Sequence, residues 1–252
     1  MPEAPEVKGA RVVIVTGGAR GIGRSIVDTL HRSGDHVIAF DVNTKAIDRF
    51  NAEADGDPRL RAQEVSITDR AAVEAAVSAI VAELGSVDVL VNNAGMTLPS
   101  TFLTQTDEDW DKIVAVNLTG TFIVSQVVAR VMVERGTGAI VSISSVSAHG
   151  VRTGPPSYAA AKAGVEGLVR LMAVQLGPLG VRVNTVVVGS TATPWLLGKK
   201  SEADLDEIRA STLTGELGDP DDVANTVAFL ASPEAKHVHG QMVSVSGGQW
   251  IP

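Results

Sequence analysis

Apolar residues follow two alternating patterns along this chain. Short runs rich in Val and Ile predict β-strands, and longer stretches with apolar residues three or four positions apart predict helices. Predicted strands lie at residues 11–16, 35–41, 59–65, 87–92, 139–144, 181–188 and 241–246. Predicted helices lie between them, and the clearest begin near Gly23, Asp69, Asp107, Pro156, Glu202 and Asp219. The alternation predicts an α/β fold with a doubly wound, seven-stranded parallel sheet and helices on both faces.

A glycine-rich segment, G-G-A-R-G-I-G at residues 17–23, joins the first predicted strand to the first predicted helix. In that setting glycines let backbone amides approach a pyrophosphate, and the helix N-terminus adds its positive end. Asp41 closes the second predicted strand, where a carboxylate can accept hydrogen bonds from the hydroxyls of an adenine ribose. A carboxylate there repels a 2′-phosphate, which favours NAD over NADP. Arg20 is the counter-indication, since its guanidinium could meet a 2′-phosphate.

A second stretch, from Ser145 to Lys162, has the composition of a catalytic segment. Tyr158 and Lys162 are four residues apart near the start of a predicted helix, so they share one helix face. Ser145 follows the fifth predicted strand. An ammonium close to a phenol lowers the phenol's pKa, and a serine hydroxyl can orient a substrate oxygen. The three groups suit proton transfer at a carbonyl or carbinol oxygen; the alternative is an ordinary surface pair of Tyr and Lys.

Composition narrows the class of protein. The 252 residues are 44% hydrophobic and 20% charged, which fits one globular domain over residues 1–252. The net charge of −8 argues against nucleic acid and anionic membranes as partners. The chain has no cysteine, and its five histidines lack metal-ligand spacing, so we expect no metal site. Without a recognisable signal peptide or membrane span, the expected location is cytoplasmic.

Together the motifs resemble those of the short-chain dehydrogenase/reductase family, from about Val12 to Gly248. The residues that carry the resemblance are T-G-x-x-x-G-x-G from Thr16, Y-x-x-x-K at Tyr158 and Lys162, and Ser145 thirteen residues before Tyr158. The resemblance implies a single Rossmann-like domain and a catalytic set of Asn117, Ser145, Tyr158 and Lys162. It also implies a cofactor-binding set of Gly17, Arg20, Gly21, Ile22, Gly23, Asp41, Ser66, Ile67, Asn93, Ala94, Gly95, Tyr158, Lys162, Gly189, Thr191 and Thr193.

Three implied roles carry qualifications. The resemblance implies that Asn92, with Ala94 and Gly95, lines the adenosine ribose and braces the central strand, although asparagines at strand ends often cap turns. It implies that Asn117 bends its helix and anchors a water near Lys162; the sequence alone supports a buried hydrogen-bonding role equally well. The chain departs from the family's pattern with Ser66 where an Asp is common, and with Val188 and Thr191 beside the predicted nicotinamide.

The outer parts of the site have weaker signals. We expect His149 and Arg152 to lie on a solvated loop at the substrate's rim. Residues 190–215 are the expected substrate lid, and their apolar start at Trp195 suggests a substrate with a hydrophobic body. The resemblance implies a homodimer or homotetramer through the helices at 107–134 and 157–177, and Trp250 is a candidate for a subunit contact.

The resulting hypothesis is an NAD-dependent oxidoreductase that interconverts a secondary alcohol and a ketone. Two alternatives fit the same residues. One is an NADPH-dependent 3-oxoacyl-thioester reductase on the same scaffold, and the other is a nucleotide-sensing protein without turnover.

Overall fold

A parallel β-sheet runs through the middle of the protein in this computed structural model, which describes residues 9–150 and 154–252. Its strands are β1 Val12–Thr16, β2 His36–Asp41, β3 Leu60–Glu64, β4 Val89–Asn92, β5 Gly138–Ser145, β6 Val181–Val188 and β7 Met242–Val245. Within the described residues these seven form one sheet in the order β3-β2-β1-β4-β5-β6-β7, with every neighbouring pair parallel. The predicted α/β class and doubly wound sheet are confirmed. The strand order reverses between β1 and β4, and there the carboxyl ends of the strands open a crevice.

Helices cover both faces of the sheet. They are α1 Gly21–Arg32, α2 Thr44–Glu53, α3 Arg70–Leu84, α4 Asp107–Val114, α5 Thr121–Arg135, α6 Pro156–Leu176, α7 Pro194–Leu197, α8 Glu202–Ala210 and α9 Pro220–Ala231. Because side chains alternate along a strand, Ile14 of β1 packs with α3, α5 and α6, whereas Val13 packs with α1, α2 and α9. Both are fully buried, and burying one such side chain contributes about 1.5–3 kcal/mol.

Two helices were not anticipated from the sequence. The short α2 has only two buried apolar residues, Ile47 and Phe50, so its helical periodicity is faint. It is fixed at its start by Asn43, whose side chain accepts a hydrogen bond from Ala46 N at 3.1 Å. The other is α7, a single turn whose first residue is Pro194, capped by Thr193.

The helix predicted from Asp107 is continuous but not uniform. Thr106 caps it as expected, accepting from Asp109 N at 3.1 Å, and a π-helical segment, Ala115–Gly120, separates α4 from α5. By length and composition alone the stretch Asp107–Arg135 could cross a membrane, which the sequence interpretation did not anticipate. In this fold 56% of the most apolar 18-residue stretch of that helix is buried inside the protein, as it is in many core helices.

Candidate active site

The glycine loop between β1 and α1 leaves no space for a side chain at Gly17 or at Gly23. A Cβ on Gly17 would lie 2.8 Å from Ala94 Cα, and Gly17 also has a left-handed backbone with φ +62°. A Cβ on Gly23 would lie 2.1 Å from Gly17 O. Helix α1 begins at Gly21 with no acidic residue in its first turn, and Arg20 before it is exposed. Backbone amides and a positive helix end therefore meet here, and the cradle fits a diphosphate.

Asn93 and Thr16 hold this loop against the end of β4. Asn93 Nδ2 donates to Thr16 O at 2.9 Å and to Gly17 O at 3.0 Å. Thr16 Oγ1 accepts from the backbone amides of Asn93 and Ala94, both at 3.0 Å. Asn92 points elsewhere: its Nδ2 donates to Ser125 Oγ at 2.9 Å inside the core. The implied bracing of the central strand by Asn92 is therefore observed, whereas the implied contact of its side chain with a ribose is wrong, because that side chain lies inside the core.

Asp41 lies at the carboxyl end of β2 and is held by three backbone amides. Its Oδ1 accepts from Val42 N at 2.8 Å and from Asn43 N at 3.0 Å. Its Oδ2 accepts from Ala19 N of the glycine loop at 3.3 Å. The side chain is buried, so the carboxylate is fixed in place beside the diphosphate cradle.

Ser66 and Ile67, which follow β3, differ in burial. Ser66 is half-buried, with its Oγ 2.9 Å from Thr68 Oγ1. Ile67 is buried in the core, and a Cβ on Gly120 would lie 2.7 Å from its Cδ1. The Ile67 side chain thus packs on the π-helical segment.

Tyr158 lies in the first turn of α6 and forms a side-chain hydrogen bond with Ser145, the last residue of β5. Burial raises the pKa of the Tyr158 phenol, and the hydrogen bond from Ser145 acts in the opposite direction. The net shift is upward, so the prediction that Lys162 brings the phenol's pKa down is not met. The predicted meeting of phenol and serine hydroxyl does occur.

Lys162 is one turn further along α6 and is 4% exposed. Its Nζ donates to Ile143 O at 2.8 Å and lies 5.7 Å from the centroid of the Tyr158 ring. Burial lowers the pKa of Lys162 to about 8, because the charged ammonium loses its hydration. At pH 7 the group is still mostly protonated, so the site holds a buried cation.

Asn117 occupies the π-helical segment and is fully buried. Its Nδ2 donates to Met96 O and to Ile113 O, both at 2.9 Å. A Cβ on Gly95 would lie 2.7 Å from Asn117 Oδ1 and 3.5 Å from Lys162 Nζ, which places Gly95 between the two. The structure thus joins both interpretations of Asn117, a distorted helix and a buried hydrogen-bonded amide, next to Lys162.

The predicted nicotinamide side, after β6, is held by a residue that sequence reasoning missed. Gln249 Oε1 accepts from Ser190 N at 2.8 Å, and a Cβ on Gly189 would lie 2.7 Å from that oxygen. Thr191 is buried and pairs with Gly218 in an isolated β-bridge. Thr193 caps α7, accepting from Leu196 N at 3.3 Å. The signal for Gln249 is weak in the sequence, because its partners are distant along the chain.

The expectation of a solvated loop after Ser145 is wrong for His149. Its ring stacks on Trp250 with 3.7 Å between centroids, and its Nε2 lies 3.1 Å from Glu166 Oε1. Trp250 therefore has an intramolecular partner, whereas the sequence suggested a subunit contact. Arg152 lies outside the described residues. Sequence reasoning also missed Glu166, which is buried on α6 four residues after Lys162. That spacing was the available signal.

All parts of the candidate site lie at the carboxyl ends of neighbouring strands. The glycine loop, Asp41 and Asn93 follow β1, β2 and β4, and Ser145, Tyr158, Lys162 and Asn117 gather around the end of β5. Within the described residues no group of three or more His, Cys, Asp or Glu side chains is placed to hold a metal ion.

Known proteins are similar to this chain in amino-acid sequence over most of its length. A family model described as enoyl-(acyl carrier protein) reductase matches residues 17–249. The 3-oxoacyl-[acyl-carrier-protein] reductase FabG of Vibrio cholerae is 38% identical over 245 residues, covering 96% of this chain and 98% of the relative. The (2S)-[(R)-hydroxy(phenyl)methyl]succinyl-CoA dehydrogenase subunit BbsD of Thauera aromatica is 36% identical over 243 residues, covering 95% and 96%.

A solved structure shares the fold. The crystal structure of gox2181 superposes with a TM-score of 0.87 at 34% identity, and the match covers 96% of each chain.

Proposed function

The chain belongs to the short-chain dehydrogenase/reductase family of nicotinamide-dependent oxidoreductases, and we propose that it interconverts 3-oxoacyl and 3-hydroxyacyl thioesters. The observation that carries this proposal is the hydrogen bond of Tyr158 to Ser145 beside the buried Lys162. The substrate class rests on the relatives, one named for a 3-oxoacyl carrier-protein thioester and another for a hydroxylated CoA thioester. The substrate class is that of the second hypothesis from the sequence, which had NADPH as its cofactor, and the names of the relatives favour that class over alcohols and ketones in general.

The raised pKa of Tyr158 suits reduction. A neutral phenol at pH 7 can donate its proton to the alkoxide that develops at the substrate's C3 oxygen. Ser145 Oγ would donate to the same oxygen and fix its position. The nicotinamide, when bound, supplies the hydride.

Lys162 and Asn117 would support that proton transfer. The ammonium of Lys162, which donates to Ile143 O, would bind the ribose next to the nicotinamide. It lies 5.7 Å from the centroid of the phenol ring that reduction would leave deprotonated. Asn117, across Gly95 from Lys162 Nζ, would complete a path for a replacement proton.

Asp41 supports NAD(H) over NADP(H) as the cofactor. Its carboxylate cannot swing away from a 2′-phosphate without giving up three backbone amide bonds. Adding a second negative charge at that position is unfavourable, because two charges 4 Å apart near a protein surface interact by about 1–4 kcal/mol. The exposed Arg20 acts in the other direction, so the expected outcome is a preference and not an absolute choice.

The segment 190–215 is the proposed lid over the acyl chain. Trp195 and Leu197 of α7 are 51% and 45% exposed, and Leu213 is 77% exposed. Apolar side chains at this edge of the sheet fit the alkyl part of a thioester. They also fit any secondary alcohol or ketone with a hydrophobic body, which remains the second candidate function.

We further expect a cytoplasmic homodimer or homotetramer. Apolar side chains on α4, α5 and α6 are exposed in the single chain: Trp110, Phe122, Leu171 and Val174. Their burial between subunits would remove them from water. Light scattering at micromolar concentration tests the assembly, and a monodisperse monomer would contradict it.

A substrate panel with a matched active-site variant tests the proposed reaction. Purified protein is assayed for oxidation of NADH and of NADPH in the presence of acetoacetyl-CoA or of simple aryl ketones. The reverse direction is assayed as reduction of NAD and of NADP by secondary alcohols. We expect turnover of the thioester with NADH. Replacing Tyr158→Phe should lower kcat by about 10²–10⁴-fold, because it removes the proton donor, while NADH still binds.

Each other outcome points to a different conclusion. Turnover of aryl ketones without the thioester would favour the second candidate function. Cofactor binding without turnover of any substrate would favour a nucleotide-sensing protein, and near-wild-type turnover by the Phe variant would reject the role given to the phenol.

A further inference from the structure

Glu166 is a buried carboxylate that the proposed chemistry does not use. It lies on α6, one turn beyond Lys162, and is 4% exposed. Its Oε1 accepts a hydrogen bond from Ser144 Oγ at 2.7 Å and lies 3.1 Å from His149 Nε2. Burying a carboxylate is costly unless it is hydrogen-bonded, so these two partners keep Glu166 in place.

The two partners of Glu166 flank the catalytic serine. Ser144 precedes Ser145 in β5, and His149 ends the 3-10 helix, Val146–His149, that follows it. One oxygen of the Glu166 carboxylate therefore contacts the chain both before and after Ser145. Ser144 Oγ also lies 3.5 Å from Lys162 O, which ties the same strand end to the helix of Tyr158.

The C-terminal tail extends this cluster. The ring of Trp250 stacks on His149 at an interplanar angle of 8°. The carbonyl oxygen of Trp250 accepts from Ser244 Oγ at 3.1 Å and from Ser246 Oγ at 3.3 Å, which anchors the tail to the end of β7. A continuous line of contacts thus runs from the last residues of the chain to the strand that carries Ser145.

We propose that Glu166, His149 and Trp250 are positioning residues that hold Ser145 against the Tyr158 phenol. The inference rests on the proposed function, since it assigns Ser145 a place in the chemistry. The proposed function and the positioning role can fail separately, because the substrate panel and Tyr158→Phe test the proposed function alone. Variants of the positioning residues are compared with a wild-type protein already shown to be active.

A positioning role predicts an effect that lost stability alone would not produce. The hydrogen bond from Ser145 acts to lower the pKa of Tyr158. If Ser145 moves away, the pH at which kcat for alcohol oxidation rises should shift upward. Lys162, 5.7 Å from the phenol ring, is unchanged in every variant, and His149 and Glu166 are the other titratable groups of this cluster.

Paired substitutions separate the contacts. Trp250→Ala removes the stack on His149, and Trp250→Phe keeps an aromatic ring there. Glu166→Ala removes the acceptor, whereas Glu166→Gln keeps an oxygen that Ser144 can reach. Glu74→Gln on the exposed face of α3 is the matched control. kcat, the pH profile of kcat, the dissociation constant of NADH and the melting temperature are measured for all five.

The two Ala variants should lose about 10–100-fold in kcat, the scale expected when a reacting group is displaced by about 1 Å. NADH affinity should not change, because the glycine loop and Asp41 are untouched. The pH profile should shift upward in the Ala variants and return toward wild type in Trp250→Phe.

Three results would overturn the proposal: folded Ala variants with wild-type kcat and pH profile, a parallel loss of kcat and NADH affinity, or no recovery in Trp250→Phe. If Glu166→Ala does not fold, the two Trp250 variants alone decide, because the half-buried tail tolerates change better than the middle of α6.

Discussion

The two halves of the candidate site are built from different materials. The cofactor half is made of backbone: Gly17 and Gly23 lie too close to neighbouring backbone for a side chain, and three amides bind the Asp41 carboxylate. The catalytic half is made of buried side chains, among them Asn117 and Lys162. In the cofactor half, steric space limits which residues the site tolerates. In the catalytic half, the limit is the free energy lost when polar side chains give up their hydration.

This difference decides how each half responds to change. A backbone cradle costs little electrostatically, but a Cβ added at Gly17 or Gly23 displaces it. A buried ammonium fits its space but destabilises the fold, which is visible in the lowered pKa of Lys162. Substitutions in the cofactor half should therefore act on cofactor affinity, and substitutions in the catalytic half should trade activity against stability.

The largest expected effect is that of Lys162→Met. Turnover should fall by about 10²–10⁴-fold, as when a group that assists proton transfer is removed. Stability should change in the other direction. With a pKa of about 8 in the fold against 10.5 for an ordinary lysine, burial of the ammonium costs about 3 kcal/mol below pH 8. The unpaired Ile143 carbonyl takes back about 1–3 kcal/mol of the gain, so a small net stabilisation is expected at pH 7.

The pH dependence gives the sharper measurement. Between pH 8 and 10.5 the unfolded chain keeps the Lys162 proton that the folded protein has lost, so wild-type stability from this group rises with pH. The advantage of the Met variant should therefore shrink across that window. Urea unfolding of both proteins at pH 7 and at pH 10 measures it, and a constant difference would show that the ammonium carries no such cost.

An intermediate effect is expected for Gly23→Ala in the backbone half. The new Cβ would lie 2.1 Å from Gly17 O and 2.5 Å from Asn93 Nδ2, so the loop has to move. Such overpacking costs about 1–3 kcal/mol, which corresponds to a rise of about 5–150-fold in the dissociation constant of NADH. Fluorescence titration with NADH measures the change.

Gly167→Ala is the matched control, because no atom lies within 4 Å of a Cβ at that position of α6. It should bind NADH as the wild type does. Equal NADH affinity in the Gly23 and Gly167 variants would remove the contrast between a backbone half and a side-chain half.

Sequence reasoning succeeded where the physical signal is local. Strands such as β1 are buried on both faces and read as unbroken apolar runs, and Tyr158 and Lys162 are one helix turn apart. It failed where the partner is distant or the environment is decisive. Glu166 is recognisable only once His149 and Trp250 are folded against it, and the raised pKa of Tyr158 follows from a burial that no spacing reveals. The π-helical segment at Asn117 hardly alters the apolar periodicity, so only the family resemblance indicates a bend there, and nothing in the sequence indicates its π-helical form.

The smallest expected effect is that of Asp41→Asn, which asks whether the cofactor half is wholly a matter of backbone. The substitution keeps the shape of the side chain and one acceptor for Val42 N and Asn43 N, but it removes the negative charge. Repulsion of a 2′-phosphate disappears while Arg20 remains, so the ratio of kcat/KM for NADPH to that for NADH should rise about tenfold, equivalent to about 1.4 kcal/mol. Steady-state kinetics with both cofactors measure the ratio, with Asp48→Asn on the exposed face of α2 as the control. An unchanged ratio would mean that Asp41 serves only to hold the glycine loop through Ala19 N, and that cofactor choice depends on Arg20.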